Sequence, residues 1–253
     1  MPRSPCNPLV IWPSTCNRSN QRVIPRSWVL AHSPLTGPAA WGRLPALLRE
    51  QAYAVVVIDV EDDDEAPYAE RYATRAATQI AAAEPPTPTI FVAHSGAGPL
   101  LPAITASLTS SGGYIFLDAG LPRPGRPSRR DLLREEDEGF AAEFVDSLRR
   151  GNRFPAWTAD DLADLVPDVD DRIALMKSLR PRGLEFFSEP LPALEKWPDA
   201  PCGYLRTSAA YDLWLHIAEQ RGWPAMSRDF GHFPALASPE GTLQALLELA
   251  ARL

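Results

Sequence analysis

Cysteine is scarce in this chain. Only Cys6, Cys16 and Cys202 occur among 253 residues, an odd number at no metal-ligand spacing, which argues against a disulfide framework and a zinc site. Positive charge is also in deficit: 25 basic against 32 acidic side chains give a net charge of −7. Phosphate binding needs a basic face, so nucleic acid is not expected as a partner. Long apolar runs are missing. The uncharged stretch 85–117 exceeds a bilayer span, but prolines, glycines and a Ser/Thr cluster interrupt it, so it reads as buried β-α-β and no membrane partner is expected. No G-x-G-x-x-G or Walker A string is present, so no nucleotide cofactor is called for, and no other cofactor or metal is expected. The acidic run Glu61–Glu65 lacks the glycine and the later glutamate of a calcium loop and reads as a solvated loop.

What the chain does have is enough apolar content, 45%, for one large α/β domain. The N-terminal segment carries only the four-residue apolar run Leu9 to Trp12, short of a secretory core. Residues 1–22 are therefore expected to be poorly ordered and the protein cytoplasmic. From Ser27 onward, strands alternate with helices. WVLAHS precedes a Leu-rich helix, and YAVVVIDV (Tyr53 to Val60) is the continuous apolar run of a strand buried on both faces. A helix over Tyr68–Ala83, a strand over Thr89–Ala93, a helix over Gly98–Leu108 and a strand over Tyr114–Leu117 follow. This rhythm implies right-handed crossovers and a mostly parallel sheet with helices on both faces.

Between 121 and 198 the rhythm stops. Residues 131–150 and 159–179 read as polar amphipathic helices, and this stretch is expected to form a helical lid inserted between core segments 23–120 and 199–253. Its apolar residues, including Phe140, Phe144, Phe154, Trp157, Met176, Phe186 and Phe187, would shape a pocket on one side, although most are expected simply to pack the lid. Arg123, Arg126, Arg129 and Arg130 sit where the lid begins. They would either meet an acidic or carrier-protein-bound substrate or balance the acidic helix that starts at Asp131. The core resumes with strands at Cys202–Ser208 and Pro224–Arg228 and helices at Tyr211–Arg221 and Pro239–Leu253.

The densest chemical signal is IFVAHSGAG, residues 90–98. A strand ends at a serine flanked two places either side by alanine, the small-x-Ser-x-small pattern of a nucleophile elbow. Ser95 would stand at the carboxyl edge of the sheet with the N–H of Gly96 aimed at an oxyanion. A serine hydroxyl needs a base, itself oriented by a carboxylate. Of four histidines, His32 and His94 suit packing or loop-fixing and His216 falls inside a helix, which leaves His232 in the loop before the last helix. The acid is Asp212, in the chain order Ser, Asp, His, or alternatively Asp118 at the end of the preceding strand. Asp212 is the favoured of the two.

At these residues the chain resembles the α/β-hydrolase superfamily. The resemblance covers roughly 27–120 and 200–253, and WVLAHSPLTGPAAWGRLPALLREQAYAVVVIDV is most similar to the branch of small-molecule methylesterases and hydroxynitrile lyases. It implies Ser95 as nucleophile, Asp212 as acid, His232 as base, and a second oxyanion N–H from the loop after His32. There the chain departs from the pattern, because Pro34 occupies the donor position and has no N–H. Loss of one oxyanion donor costs on the order of 100- to 1000-fold in rate. Leu35 could shift to supply its N–H, or the Ser33 hydroxyl could enter the site.

The expected function is a serine-dependent hydrolase acting on an ester, thioester or lactone of a small to medium organic molecule through an acyl-enzyme at Ser95. The alternatives are a lyase or cyclase using the same pocket for acid/base chemistry, and a ligand-binding protein of the same fold without catalysis. Oligomeric state is not legible in the sequence.

Overall fold

The computed structural model describes residues 25–253 apart from 62–63, 109–110 and 195–196. The expected lead-in at 1–22, with Cys6 and Cys16, lies outside the described residues. β1 (Ser27–Ala31), α1 (Leu44–Glu50), β2 (Ala54–Val57), α2 (Tyr68–Ala83) and β3 (Thr89–His94) follow one another. Next come α3 (Leu101–Thr105), β4 (Ser111–Leu117), α4 (Arg129–Glu136), α5 (Glu138–Arg149), α6 (Val169–Ser178) and α7 (Leu184–Ser188). The chain closes with β5 (Cys202–Arg206), α8 (Asp212–Gln220), β6 (Ala225–Ser227), α9 (Pro234–Ala237) and α10 (Pro239–Ala250).

All six strands are parallel, in the order β2-β1-β3-β4-β5-β6. The strands' period of two sorts their side chains between two layers. Val29, Phe91, Phe116 and Tyr204 face one layer with Tyr72 and Ile80 of α2 and Trp214 of α8. Trp28, Leu30, Ile90, Val92 and Leu205 face the other with Leu44 and Leu48 of α1 and Leu246 and Leu249 of α10. Both faces are therefore covered, as an all-parallel sheet requires. The chain leaves β1 for β2 on one side and returns to β3 on the other, so the carboxyl ends of β1 and β3 flank a switch point where ligands bind in such sheets.

The helix expected from Gly98 is shorter and tighter than the sequence suggested. Residues Ser95–Leu100 form a 3-10 turn before α3 begins. Pro99 and Pro102 lack the N–H groups that would reach back four residues, so α-helical bonding cannot start at the elbow.

The stretch between β4 and β5 supplies α4 to α7 and, among the described residues, no strand to the sheet. The expected helix at 131–150 is two helices, interrupted at Asp137, whose carboxylate accepts the Phe140 N–H and restarts the chain as α5. The one expected at 159–179 begins only at Val169, capped by Asp168 after Pro167. This stretch packs against loops at the carboxyl ends of the strands. Arg180 donates from its backbone N–H to Leu35 O at 2.9 Å and from its guanidinium to Val60 O, while Trp214 donates to Glu136. Among the described residues no helix is long and apolar enough to cross a membrane.

Candidate active site

β3 delivers Ser95 at its end, and the backbone there turns with φ +55° at Ser95. A non-glycine residue in the left-handed region costs of order 1–3 kcal/mol, strain that concentrates at functional turns. The neighbouring glycines serve close approach and not positive φ. A Cβ on Gly98 would lie 2.1 Å from Gly120 O, and one on Gly96 would lie 3.0 Å from Ser33 Oγ. Glycine at 98 thus lets the elbow pack directly on the chain leaving β4, and glycine at 96 makes room for the Ser33 hydroxyl.

That chain leaving β4 carries Asp118, fully buried and also at positive φ (+42°). Its carboxylate accepts from Thr207 N at 2.7 Å, Ser208 N at 2.9 Å and Ser208 Oγ at 2.5 Å. It also accepts from His232 Nδ1, at 2.9 Å. Burial alone would raise this carboxyl. The hydrogen bond and charge of His232, with the Ser208 and Thr207 donors, outweigh burial and hold it below the usual carboxylate range. Because a carboxylate only accepts, Nδ1 of His232 carries a hydrogen, and in the neutral imidazole the lone pair is then on Nε2.

The favoured pairing of His232 with Asp212 gives way to Asp118. Asp212 opens α8 with a largely exposed side chain and accepts from Arg206 Nε at 2.7 Å, while Arg206 also reaches Asp229 at 2.5 Å. The physical reason is the loop after β5: its two N–H groups and the Ser208 hydroxyl converge on Asp118. A carboxylate at 118 is solvated by the protein before His232 arrives.

His232 is held on several sides. His94, buried beside it with ring centroids 4.8 Å apart, donates from Nε2 to the His232 carbonyl at 2.7 Å. Phe233 lies 5.1 Å away edge-on. The Tyr211 ring stacks on the imidazole at 5.1 Å and 7°, and its hydroxyl shares a hydrogen bond of 3.2 Å with Ser95 Oγ. The structure thus brings Ser95, His232 and Asp118 to one sheet edge. Among the described residues, however, no hydrogen bond joins Ser95 Oγ to His232. Tyr211 was missed in the sequence; the available signal was an aromatic in the loop after β5, beside Asp212. His216 lies on the surface of α8 with Gln220.

On the other flank, Ser33 is buried and its Oγ accepts from Leu35 N at 3.3 Å. The Leu35 N–H is therefore spent on Ser33, and among the described residues no acceptor takes the Ser33 hydroxyl hydrogen. Three of the four candidate arginines are engaged within the chain: Arg123 pairs with Glu135 at 2.5 Å, Arg126 donates to Leu191 O, and Arg129 lies over the Phe186 ring. Within the acidic run, Asp64 pairs with Arg153 and Arg182; Asp62 and Asp63 lie outside the described residues. Phe144, Phe154, Phe186 and Phe187 pack on one another, Trp157 meets Phe233 at 5.7 Å, and Phe140 is exposed.

Burial lowers the pKa of His32 to about 4 and, with the adjacent His232, that of His94 to about 3. Both titrate near 6.5 once unfolded, so unfolding takes up protons below that pH. Their contribution to stability is complete above about pH 6.5 and is lost as the pH falls toward 4. Urea denaturation at pH 7.5 and 5.0 should show a loss of roughly 2 kcal/mol per histidine; equal stabilities would contradict neutral burial.

The parallel sheet, the strained serine between β3 and α3, and the His–Asp pair contributed by later strand ends define an α/β hydrolase. The sequence agrees: residues 28–245 match the family model described as the alpha/beta hydrolase family, and the chain belongs to that family. No curated protein sequence matches it. Among solved structures it is similar to an extracellular α/β-hydrolase from a Paenibacillus species, itself described as sharing structural and functional homology with tobacco salicylic acid binding protein 2. The identity is 16% and the TM-score 0.71, covering 89% of this chain and 99% of that one. Polyneuridine aldehyde esterase aligns at 17% identity and TM-score 0.68, over 90% and 100% of the two chains. Tomato methylketone synthase I, complexed with 2-tridecanone, aligns at 16% and 0.64, over 90% and 99%. At these identities the likeness establishes the fold.

Proposed function

We propose that the protein is a serine hydrolase that cleaves an ester, thioester or lactone of a small to medium organic molecule through an acyl-enzyme at Ser95. The observation that carries this is the fully buried Asp118 carboxylate 2.9 Å from His232 Nδ1, beside a serine on a strained elbow. Ser95 Oγ attacks the acyl carbon and its proton passes to His232 Nε2, while Asp118 holds the imidazole in the required tautomer and steadies the imidazolium. The Gly96 N–H and the Ser33 hydroxyl take the oxyanion, Ser33 replacing the donor that Pro34 lacks. Leu35 N–H fixes Ser33 Oγ as acceptor, which leaves the hydroxyl hydrogen for the substrate. Helices α4 to α7 act as a lid over this edge.

A second reading, acid/base catalysis by a lyase or cyclase without an acyl-enzyme, is favoured by one feature: the partner of Ser95 Oγ is Tyr211 and not His232. A fluorophosphonate separates the two readings. Peptide mass spectrometry should find a single adduct on Ser95; turnover by protein that forms no adduct would sink the hydrolase reading.

A further inference from the structure

The loop after β5 does more than support the acid. Its Thr207 and Ser208 N–H groups hold Asp118, and its next turn, closed by Tyr211 N–H donating to Ser208 O at 3.1 Å, brings Tyr211 into contact with both Ser95 and His232. Phenylalanine would supply the same stacking on the imidazole. The hydroxyl is the part that packing does not explain, and its partner is the nucleophile itself.

We infer that Tyr211 is a catalytic residue whose phenol O–H holds the oxygen of the departing alcohol, biasing the enzyme toward oxygen esters and lactones over thioesters. The inference rests on the serine-hydrolase reading and narrows its substrate class. The oxyanion must lie toward Gly96 N–H and Ser33, on the flank facing the β1 loop. The leaving atom must lie toward His232, because the imidazole that takes the proton of Ser95 returns it to that atom. The Tyr211 ring stacks on the imidazole, which puts the phenol beside His232 at the nucleophile. The phenol hydroxyl lies 3.2 Å from Ser95 Oγ, and the leaving atom stands two bonds from that oxygen in the tetrahedral intermediate.

In the first half-reaction the Ser95 Oγ–C bond forms, the Ser95 proton moves to His232, and the carbonyl π pair goes to the oxyanion. That pair then returns, the bond from carbon to the leaving oxygen breaks, and the leaving oxygen keeps the bond pair and takes the proton from His232. Tyr211 donates a hydrogen bond to this oxygen throughout and keeps its own proton. Burial, with the Asp118 charge nearby, pushes the phenol's ionisation upward, which suits a group that donates without transferring. Water then enters on the same flank, gives a proton to His232 and releases the acid, and Ser95 recovers its proton. Sulfur is a weak acceptor, so a thioester gains little from this donor.

The test is Tyr211→Phe, assayed on ethyl butanoate and on S-ethyl butanethioate, with active sites titrated by fluorophosphonate. The loss in kcat/KM on the oxygen ester should exceed the loss on the thioester by about tenfold or more. Equal losses would make Tyr211 a support for His232 and overturn the inference, as would no loss on the oxygen ester. Wild-type protein that hydrolyses neither compound and forms no adduct would overturn the hydrolase reading and this inference with it.

Discussion

Asp118→Asn should lower kcat on an ester on the order of 10,000-fold, while Asp212→Asn stays within about threefold of wild type. Every group on the Asp118 carboxylate is a donor: two backbone N–H groups, the Ser208 hydroxyl and His232 Nδ1. An asparagine can satisfy the backbone pair with its single oxygen, which turns its NH2 toward Ser208 and His232. Nδ1 must then accept, the ring hydrogen moves to Nε2, and no lone pair remains there for the proton of Ser95. Asp212 is an exposed partner of Arg206, which keeps Asp229 when Asp212 is neutralised, and such surface pairs contribute about 0–1 kcal/mol. Steady-state kinetics of both variants on one substrate decide the matter. A larger loss in Asp212→Asn would return the acid's role to the loop after β5.

Ser95→Ala should lower kcat further, on the order of a million-fold, because the remaining members of a triad have no nucleophile to activate. Alanine accepts the +55° backbone no worse than serine does, and Ser95 is only partly buried, so the melting temperature should hardly move. Loss of activity with an unchanged melting curve separates a chemical role from a structural one. Retained turnover would favour proton transfer by His232 without covalent attack.

Strands buried on both faces write themselves as apolar runs, which is why β1, β3, β4 and β5 were legible from residues such as Trp28–Leu30 and Tyr114–Leu117. The apolar run at Tyr53–Val60, expected to be buried on both faces, instead supplies the edge strand β2, Ala54–Val57, which is only partly buried because it has a neighbour on one side alone. Ser95 was legible because the elbow's sterics demand small neighbours, and His232 because few histidines compete. The acid was less so: Asp118 and Asp212 both follow strands, and what distinguishes them is three donors converging from Thr207 and Ser208, a long-range feature no spacing encodes. Tyr211 is similar, since its two contacts, to Ser95 and His232, span 116 and 21 positions. The divisions of the α4–α7 stretch were written more plainly: Asp137 and Asp168 are helix-capping residues placed where the apolar pattern alone read continuous helices.

The central claim is that Ser95 carries the acyl group. Rapid mixing with p-nitrophenyl butanoate, acid quenching and peptide mass spectrometry measure this directly. The account predicts one butanoyl group on Ser95 in wild-type protein, formed with a burst of p-nitrophenol, and neither in Ser95→Ala. Steady turnover with Ser95 unmodified, or a butanoyl group carried on another residue, would contradict it.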